Sequence, residues 1–224
     1  MTNKTRFFLA LLTLILASAA LVLALTAEQR RVPRLNSGVI LMPAEPLPDF
    51  ELVSDSKGPY TKAELRGKWH ILSYGYTYCP DVCPTTLFTL TQLGHRLDEF
   101  GRYQDLDFLF YTIDPNRDTQ DKLAEYVAFF GDKITGIRQA RQPLAQVFEQ
   151  ALGIKAQIRV NNAGPEEYRV SHGVTLYLIN PRAELQAVFT PQKTPLGVSH
   201  FDLERLFEDY LTVRRDYLSE TGKS

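Results

Sequence analysis

Two cysteines four positions apart, Cys79 and Cys83, are the only cysteines in the 224-residue chain. Thiols at this spacing can form a structural disulfide, exchange electrons as a redox dithiol, or hold a soft metal ion. A disulfide that encloses three residues constrains the unfolded chain only weakly, because the stabilisation grows with the length of the loop. Pro80 and Pro84 also shape this segment. These features favour redox or metal chemistry over a purely structural bridge.

The cysteine pair lies where a predicted strand meets a predicted helix. Residues 69–74 are apolar enough for a buried strand, and residues 85–100 have apolar side chains at helical spacing. Pro84 suits the first helical turn, where a missing N–H costs no hydrogen bond. We therefore expect Cys83 at or near the N-cap, where free N–H groups and the helix dipole stabilise a thiolate.

The remainder of the chain alternates strands with helices, which predicts an α/β fold with a central, mostly parallel sheet and flanking helices. Further strands are expected at 48–53, 106–113, 134–138, 154–160 and 174–179, and further helices at 120–130, 143–152 and 201–217. A turn at 180–183 predicts a late β-hairpin in which residues 184–190 pair back.

Two acidic residues, Asp114 and Asp118, follow the predicted strand at 106–113. Binding sites in α/β sheets lie beyond the carboxyl ends of the strands, and the cysteine segment leaves a neighbouring strand at that edge. Either residue can form a hydrogen bond that orients a metal ligand, or can contact a partner protein. The alternative is structural, with Asp114 opening a turn and Asp118, or its neighbour Thr119, capping the next helix.

The N-terminal region predicts a membrane segment. Residues 7–27 carry no charged side chain, and as a helix they would span about 31 Å, enough for the core of a bilayer. This length favours an uncleaved anchor, and a long signal peptide cut near Ala27 is the alternative. The proline-containing stretch 28–46 resembles a tether. With 25 basic and 26 acidic residues, the chain shows no sign of a nucleic-acid surface.

Three segments resemble the Sco/SenC family: YTYCPDVCP at 76–84, TIDPNRDT at 112–119 and VSHGVTLYLINP at 170–181. The resemblance covers about residues 47–211 together with the anchor. It implies a thioredoxin-like fold and a membrane-anchored copper-binding protein. Bacterial members of this family act outside the inner membrane.

The family pattern assigns copper to both cysteines and to one later histidine, which correspond here to Cys79, Cys83 and His172. Many members have an acidic residue before that histidine, where this chain has Ser171. His172 follows a break at 161–165 and is expected to open the strand at 174–179, beside the cysteine turn of such a fold. Sulfur ligands suit Cu(I), and imidazole also suits Cu(II). Packing, solvent or capping roles are expected for the other histidines, namely His70, His95 and His200.

Two functions remain open at this point. The resemblance implies a metallochaperone that helps to build the dinuclear copper centre of cytochrome c oxidase, with the copper-bearing subunit or other copper proteins as partners. The alternative is an enzyme, a membrane-tethered thiol–disulfide oxidoreductase that reduces target cysteines before metal loading. The three residues between the cysteines, instead of the two of thioredoxins, favour the metal. No small-molecule substrate is expected.

The expected organisation follows from these segments. Residues 1–6 form a cytoplasmic tail, 7–27 the anchor or signal segment and 28–46 the tether. Residues 47–217 form the copper-binding domain, on the periplasmic side of the inner membrane, and 218–224 form a tail.

Overall fold

The computed structural model describes residues 3–27, 32–56, 58–140, 143–160 and 168–222. The chain divides into two compact units, Met1–Val32 and Pro33–Ser224. Helix α1, Asn3–Ala27, lies in the first unit. Within the described residues it contains the one segment, Lys4–Leu21, that is long and apolar enough to cross a membrane, with a mean hydropathy of 1.6. A signal sequence has the same properties.

The second unit contains four helices and twelve strands in the part of the chain that the structure describes. The helices are α2 (Val82–Phe100), α3 (Gln120–Ala128), α4 (Leu144–Leu152) and α5 (Leu203–Thr221). The first six strands are β1 (Gly38–Pro46), β2 (Glu51–Ser54), β3 (Pro59–Thr61), β4 (Trp69–Gly75), β5 (Leu106–Thr112) and β6 (Ile134–Gln139). The others are β7 (Ala156–Val160), β8 (Tyr168–His172), β9 (Leu176–Ile179), β10 (Glu184–Phe189), β11 (Gln192–Lys193) and β12 (Ser199–His200).

Eight strands form the central sheet, in the order β1-β10-β9-β4-β5-β6-β2-β3. The predicted α/β class, the flanking helices and the β9–β10 hairpin are confirmed, but the sheet is mixed and not mostly parallel. Only β4–β5 and β5–β6 pair in parallel, and the other five pairings are antiparallel. The alternation of strand and helix predicts only the central crossovers. The flanks contain two short hairpins, β2–β3 and β9–β10, and antiparallel pairs of strands that are distant in sequence, β1 with β10 and β2 with β6.

Two predicted boundaries also change. Residues 38–46, assigned above to the tether, form β1 and pair with β10 at the edge of the sheet. The prolines of this stretch favoured a tether over a strand in the sequence analysis. An edge strand nevertheless tolerates proline, because one of its sides makes no ladder hydrogen bonds. At the other end, α5 continues to Thr221 and ends at Gly222 with φ 63°, so most of the predicted tail is helix.

Helices pack on both faces of the central strands and so hold the C-terminal ends of β4 and β5 in place. Neighbouring residues of β5 face opposite ways: Phe110 contacts Tyr126 of α3, with ring centroids 5.4 Å apart, and Tyr111 contacts Phe148 of α4, also at 5.4 Å. Every residue of β4 is buried. Each buried aromatic or aliphatic side chain contributes about 1.5–3 kcal/mol to folding, so the strands that carry the site have little freedom to shift.

A separate two-stranded ribbon, β7–β8, was only half predicted. Residues 156–160 form β7 as expected, and β8 pairs with it antiparallel, Ala156 opposite His172. His172 therefore ends β8 instead of opening β9, which begins at Leu176. The predicted break at 161–165 lies outside the described residues.

Candidate metal centre

The cysteine segment connects the end of β4 to the start of α2. After Gly75 the chain turns, and the Cys79 N–H donates a hydrogen bond to the Tyr76 carbonyl at 3.0 Å. Helix α2 begins at Val82, so Pro84 lies in its first turn as predicted. A Cβ atom on Gly75 would lie 2.5 Å from the Cys83 Sγ atom. Glycine at this position therefore lets the thiol pack directly against the end of β4.

The third residue, His172, approaches the thiols from the β7–β8 ribbon. Its Nε2 atom lies 3.9 Å from the Cys83 Sγ atom, and its Nδ1 atom lies 2.6 Å from the carbonyl oxygen of Gly173. Because a carbonyl only accepts hydrogen bonds, this contact requires a proton on Nδ1. The lone pair of Nε2 then faces the thiols, which is the tautomer that a metal ligand needs.

The structure brings Cys79, Cys83 and His172 together. One ligand atom from each lies within 4.8 Å of the other two, and no other such cluster is present in the described part of the chain. Bonds of about 2.0–2.3 Å to one ion in their midst require ligand atoms about 4 Å apart. A cavity of about 10 Å³ adjoins Cys83 and His172 but is not lined by Cys79, so the assignment depends on the spacing of the three ligand atoms. The donor set therefore fits a single soft metal ion.

Aromatic side chains form the wall beside the imidazole. The ring of His172 lies 5.5 Å from the Tyr74 ring and 5.9 Å, edge to face, from the Tyr76 ring. Both tyrosines are buried, whereas Tyr78 is 56% exposed. Two of the three tyrosines of this segment thus restrict the imidazole, and the third faces solvent beside Cys79.

The two thiols titrate as a pair, with opposite shifts. The pKa of Cys79 is lowered to about 4, chiefly because the Cys83 thiol donates a hydrogen bond to it. Burial opposes this shift, whereas the contact with His172 and the N–H groups of Asp81 and Cys83 add to it. The pKa of Cys83 is raised, because its proton is held by Cys79 and because it is buried. The stabilised thiolate is therefore Cys79, and not Cys83 as the sequence suggested, chiefly because the Cys83 thiol donates to it.

Asp118 stabilises the cysteine turn through the hydrogen bonds of its carboxylate. It is fully buried and accepts hydrogen bonds from the Thr77 N–H at 3.0 Å, the Thr77 hydroxyl at 2.6 Å and the Thr112 hydroxyl at 2.5 Å. Of the two residues expected to cap α3, Thr119 does so by accepting from the Lys122 N–H, and Asp118 does not. Asp118 thereby ties the end of β5 to the residue two positions before Cys79.

Asp114 contacts the ribbon that carries the histidine. Its carboxylate accepts hydrogen bonds from the Tyr168 hydroxyl and from Arg117 Nε, both at 2.5 Å. Neither Asp114 nor Asp118 contributes an atom to the cluster of possible ligands. Arg117 and Tyr168 were missed in the sequence. The spacing of Asp114 and Arg117 at i, i+3 is a weak signal for a pair, but nothing near Tyr168 points to its distant partner.

The remaining histidines lie elsewhere, but the capping role expected for His200 is wrong, because Asp202 caps α5 by accepting from the Arg205 N–H. His70 is buried within β4, and His200 lies on β12. His95 lines a different cavity of about 300 Å³, together with Asp98 and Lys133. None of the three joins the cluster.

The unequal pKa values predict selective alkylation of the reduced, copper-free chain. With a pKa of about 4, Cys79 is almost fully ionised at pH 6, whereas an ordinary thiol is ionised to about 0.3% at that pH. We expect iodoacetamide at pH 6 to label Cys79 at least tenfold faster than Cys83, measured by peptide mass spectrometry. The rate for Cys79 should stay nearly constant between pH 6 and 8.

Replacement of Cys83 with alanine provides the control, because it removes the thiol that donates to Cys79. In that variant the labelling of Cys79 should slow at pH 6 and regain its dependence on pH. Preferential labelling of Cys83 in the parent chain would contradict the assignment.

Comparison with known proteins agrees with this site. The family model of SCO1/SenC matches residues 42–204. A protein from Stutzerimonas stutzeri, whose given name refers to copper binding, is 33% identical over 175 residues, which cover 78% of this chain and 84% of the relative. The human mitochondrial SCO1 homolog is 33% identical over 148 residues, 64% of this chain. The match spans about half of that relative, 47% of its length.

A solved structure confirms the predicted thioredoxin-like class. The crystal structure of Arabidopsis thaliana ScoI with copper bound superposes with a TM-score of 0.66 at 26% identity, covering 76% of this chain and 98% of that one. The resemblance seen in the three sequence segments is thus confirmed over most of the domain. The chain belongs to the SCO1/SenC family.

Proposed function

We propose that this protein binds one copper ion through Cys79, Cys83 and His172 and passes it to another copper protein. The observation that carries the proposal is the convergence of two thiols and one imidazole, the ligand atoms of which lie within 4.8 Å of one another. The pKa of Cys79 is lowered and that of Cys83 is raised by the hydrogen bond between them, so the pair shares one proton, which copper binding has to displace.

The donor set favours copper over zinc. Soft thiolates select Cu(I), and imidazole accommodates both Cu(I) and Cu(II). A structural zinc site normally has four protein ligands, whereas three converge among the residues that the structure describes. Of the three ligands only His172 is partly exposed, so an acceptor would approach the site from its side.

Transfer is the step that distinguishes a metallochaperone from a copper store. In line with the family, the proposed acceptor is the copper-bearing subunit of cytochrome c oxidase or a similar copper protein. The full chain, loaded with copper in detergent and mixed with the copper-free soluble domain of such a subunit, should lose its copper to it. Loss of copper only to a small chelator, and never to the acceptor domain, would contradict the proposal.

A second function is favoured by the low pKa of Cys79, since an ionised thiol beside a protonated one is poised for thiol–disulfide exchange. In that reaction the two thiols lose two electrons and two protons, and a target disulfide gains them to become two thiols. Cys79 and Cys83 would end as an intramolecular disulfide. Reduction of the acceptor's disulfide by the copper-free chain, with no transfer of copper, would favour this function.

The membrane arrangement extends the finding of one apolar N-terminal helix. We propose that α1 is an uncleaved inner-membrane anchor and that the copper-binding domain lies on the periplasmic side. Alkaline phosphatase fused after residue 224 should then be active, because that enzyme needs an oxidising compartment. Activity of a reporter that works only in the cytoplasm would contradict this arrangement.

A further inference from the structure

The ribbon that carries His172 lies outside the central sheet, so something must fix it against the cysteine turn. Among the strands that the structure describes, β7 and β8 pair only with each other. His172 ends β8, and Tyr168 begins it. A ligand on such a ribbon is placed as accurately as the ribbon is held, because a two-stranded sheet by itself is only marginally stable.

Tyr168 is held at three points by two residues that follow β5. Its hydroxyl donates to Asp114 Oδ1 at 2.5 Å, and its carbonyl oxygen accepts from Arg117 Nη1 at 2.9 Å. The Arg117 guanidinium also stacks on the Tyr168 ring, with Cζ 3.7 Å from the centroid. The Asp114–Arg117 ion pair itself is shielded, since these side chains are 1% and 17% exposed. Charge-assisted bonds in such surroundings are stronger than those of exposed pairs.

The same guanidinium reaches the cysteine turn. Arg117 Cζ lies 5.1 Å from the centroid of Tyr78, the neighbour of Cys79, and 5.7 Å from that of Tyr76. The Tyr76 ring in turn meets the imidazole of His172 edge to face. One arginine therefore contacts both segments that supply ligands.

We propose that Asp114, Arg117 and Tyr168 form a clasp that positions His172 against the two thiols. The inference rests on the proposed copper site and deepens it, because it names the residues that position the third ligand, His172, independently of the two thiols. With the clasp intact, copper has two sulfur ligands and one nitrogen ligand. With it loosened, His172 withdraws while the thiols, which are fixed by α2 and Asp118, remain in place.

The clasp should therefore matter most for the oxidation state that depends on nitrogen. Cu(I) can be held by two thiolates, whereas Cu(II) prefers nitrogen ligands and a higher coordination number. Residues that orient a metal ligand typically change metal affinity by about 10–100-fold when they are replaced. We expect a loss of that size for Cu(II) and less than about threefold for Cu(I), on the same scale.

Two conservative variants of the full chain test the clasp. Tyr168→Phe removes one hydroxyl and no charge. Arg117→Lys keeps the charge but loses the planar guanidinium, which stacks on an aromatic ring and donates several hydrogen bonds in a fixed geometry. Tyr60→Phe, on the edge strand β3, is the matched control, because Tyr60 is buried but belongs to the far side of the sheet. Cu(I) and Cu(II) affinities and the sulfur-to-Cu(II) charge-transfer band are measured for each.

A double-mutant cycle with His172→Ala separates positioning from a general loss of structure. If the clasp acts through His172, Tyr168→Phe lowers Cu(II) affinity about tenfold and shifts the charge-transfer band in the parent. It then adds nothing further to His172→Ala, and Tyr60→Phe changes nothing. Equal losses for both oxidation states, or the full loss persisting in the His172→Ala background, would overturn the clasp.

Hydrogen exchange of the reduced, copper-free chain tests the clasp without any metal. Tyr168→Phe should speed exchange in residues 168–172 and leave β4 and β5 unchanged, whereas unchanged exchange at 168–172 would overturn it. If parent and His172→Ala bind Cu(II) equally, the proposed copper site is wrong, and the exchange result still decides whether the clasp holds β8.

Discussion

Replacing either Cys79 or Cys83 with alanine is expected to abolish tight copper binding. Four-ligand zinc sites contribute about 10–16 kcal/mol, or roughly 2.5–4 kcal/mol for each ligand. Loss of one thiolate should therefore lower the affinity about 60-fold or more, since about 1.4 kcal/mol corresponds to a factor of ten. The effect should be severe for both oxidation states, because the two sulfur atoms are the shared ligands. Competition against a calibrated copper chelator measures it.

Thr86→Ala provides the control for these variants. Thr86 lines the same small cavity as Cys83, and its hydroxyl donates to the carbonyl oxygen of Val82, but it supplies no ligand atom. Its replacement should leave copper affinity within a few fold of the parent. Tight binding by a single-cysteine variant that remains monomeric would contradict the proposed site.

Replacing His172 with alanine is expected to separate the two oxidation states of copper. The Nε2 atom, 3.9 Å from the Cys83 Sγ atom, is the nitrogen ligand that the site offers. Without it Cu(I) keeps two thiolates, so its affinity should fall modestly, by about tenfold. Cu(II) affinity should fall much further, and the charge-transfer band should lose intensity or move, because that ion prefers nitrogen ligands.

His95→Ala and His200→Ala are the controls for this experiment, because neither histidine lies in the cluster. Both should bind Cu(I) and Cu(II) like the parent. The assignment would be wrong if His172→Ala bound both oxidation states normally while His200→Ala did not.

Local patterns predicted the central part of the fold. The leucines of α2 at helical spacing, the apolar runs of β4 and β5, and the turn at 180–183 each depend on neighbours in sequence. Strand β1 was missed because Pro43 and Pro46 break the pattern, and its partner β10 lies more than 130 residues away. Short apolar patterns do not specify the direction of pairing, so the antiparallel flanks became visible only in the structure.

The site, like the fold, was only partly predictable from the sequence. Cys79 and Cys83 were identifiable as the only thiols, next to a strand-to-helix turn, and His172 followed from the family resemblance. The position of the stabilised thiolate was not predictable, because it depends chiefly on which of the two thiols donates a hydrogen bond to the other. The hydrogen bond from Thr77 to Asp118 joins residues 41 positions apart in the sequence, and no local pattern predicts a contact of that kind.

X-ray absorption spectroscopy at the copper edge, on the reduced full chain loaded with one equivalent of Cu(I), tests the central claim most directly. The spectrum should fit two sulfur atoms and one imidazole nitrogen per copper, with the nitrogen contribution absent in His172→Ala. A parent spectrum with no sulfur ligand, or with an imidazole that persists in His172→Ala, would contradict the assignment of copper to Cys79, Cys83 and His172.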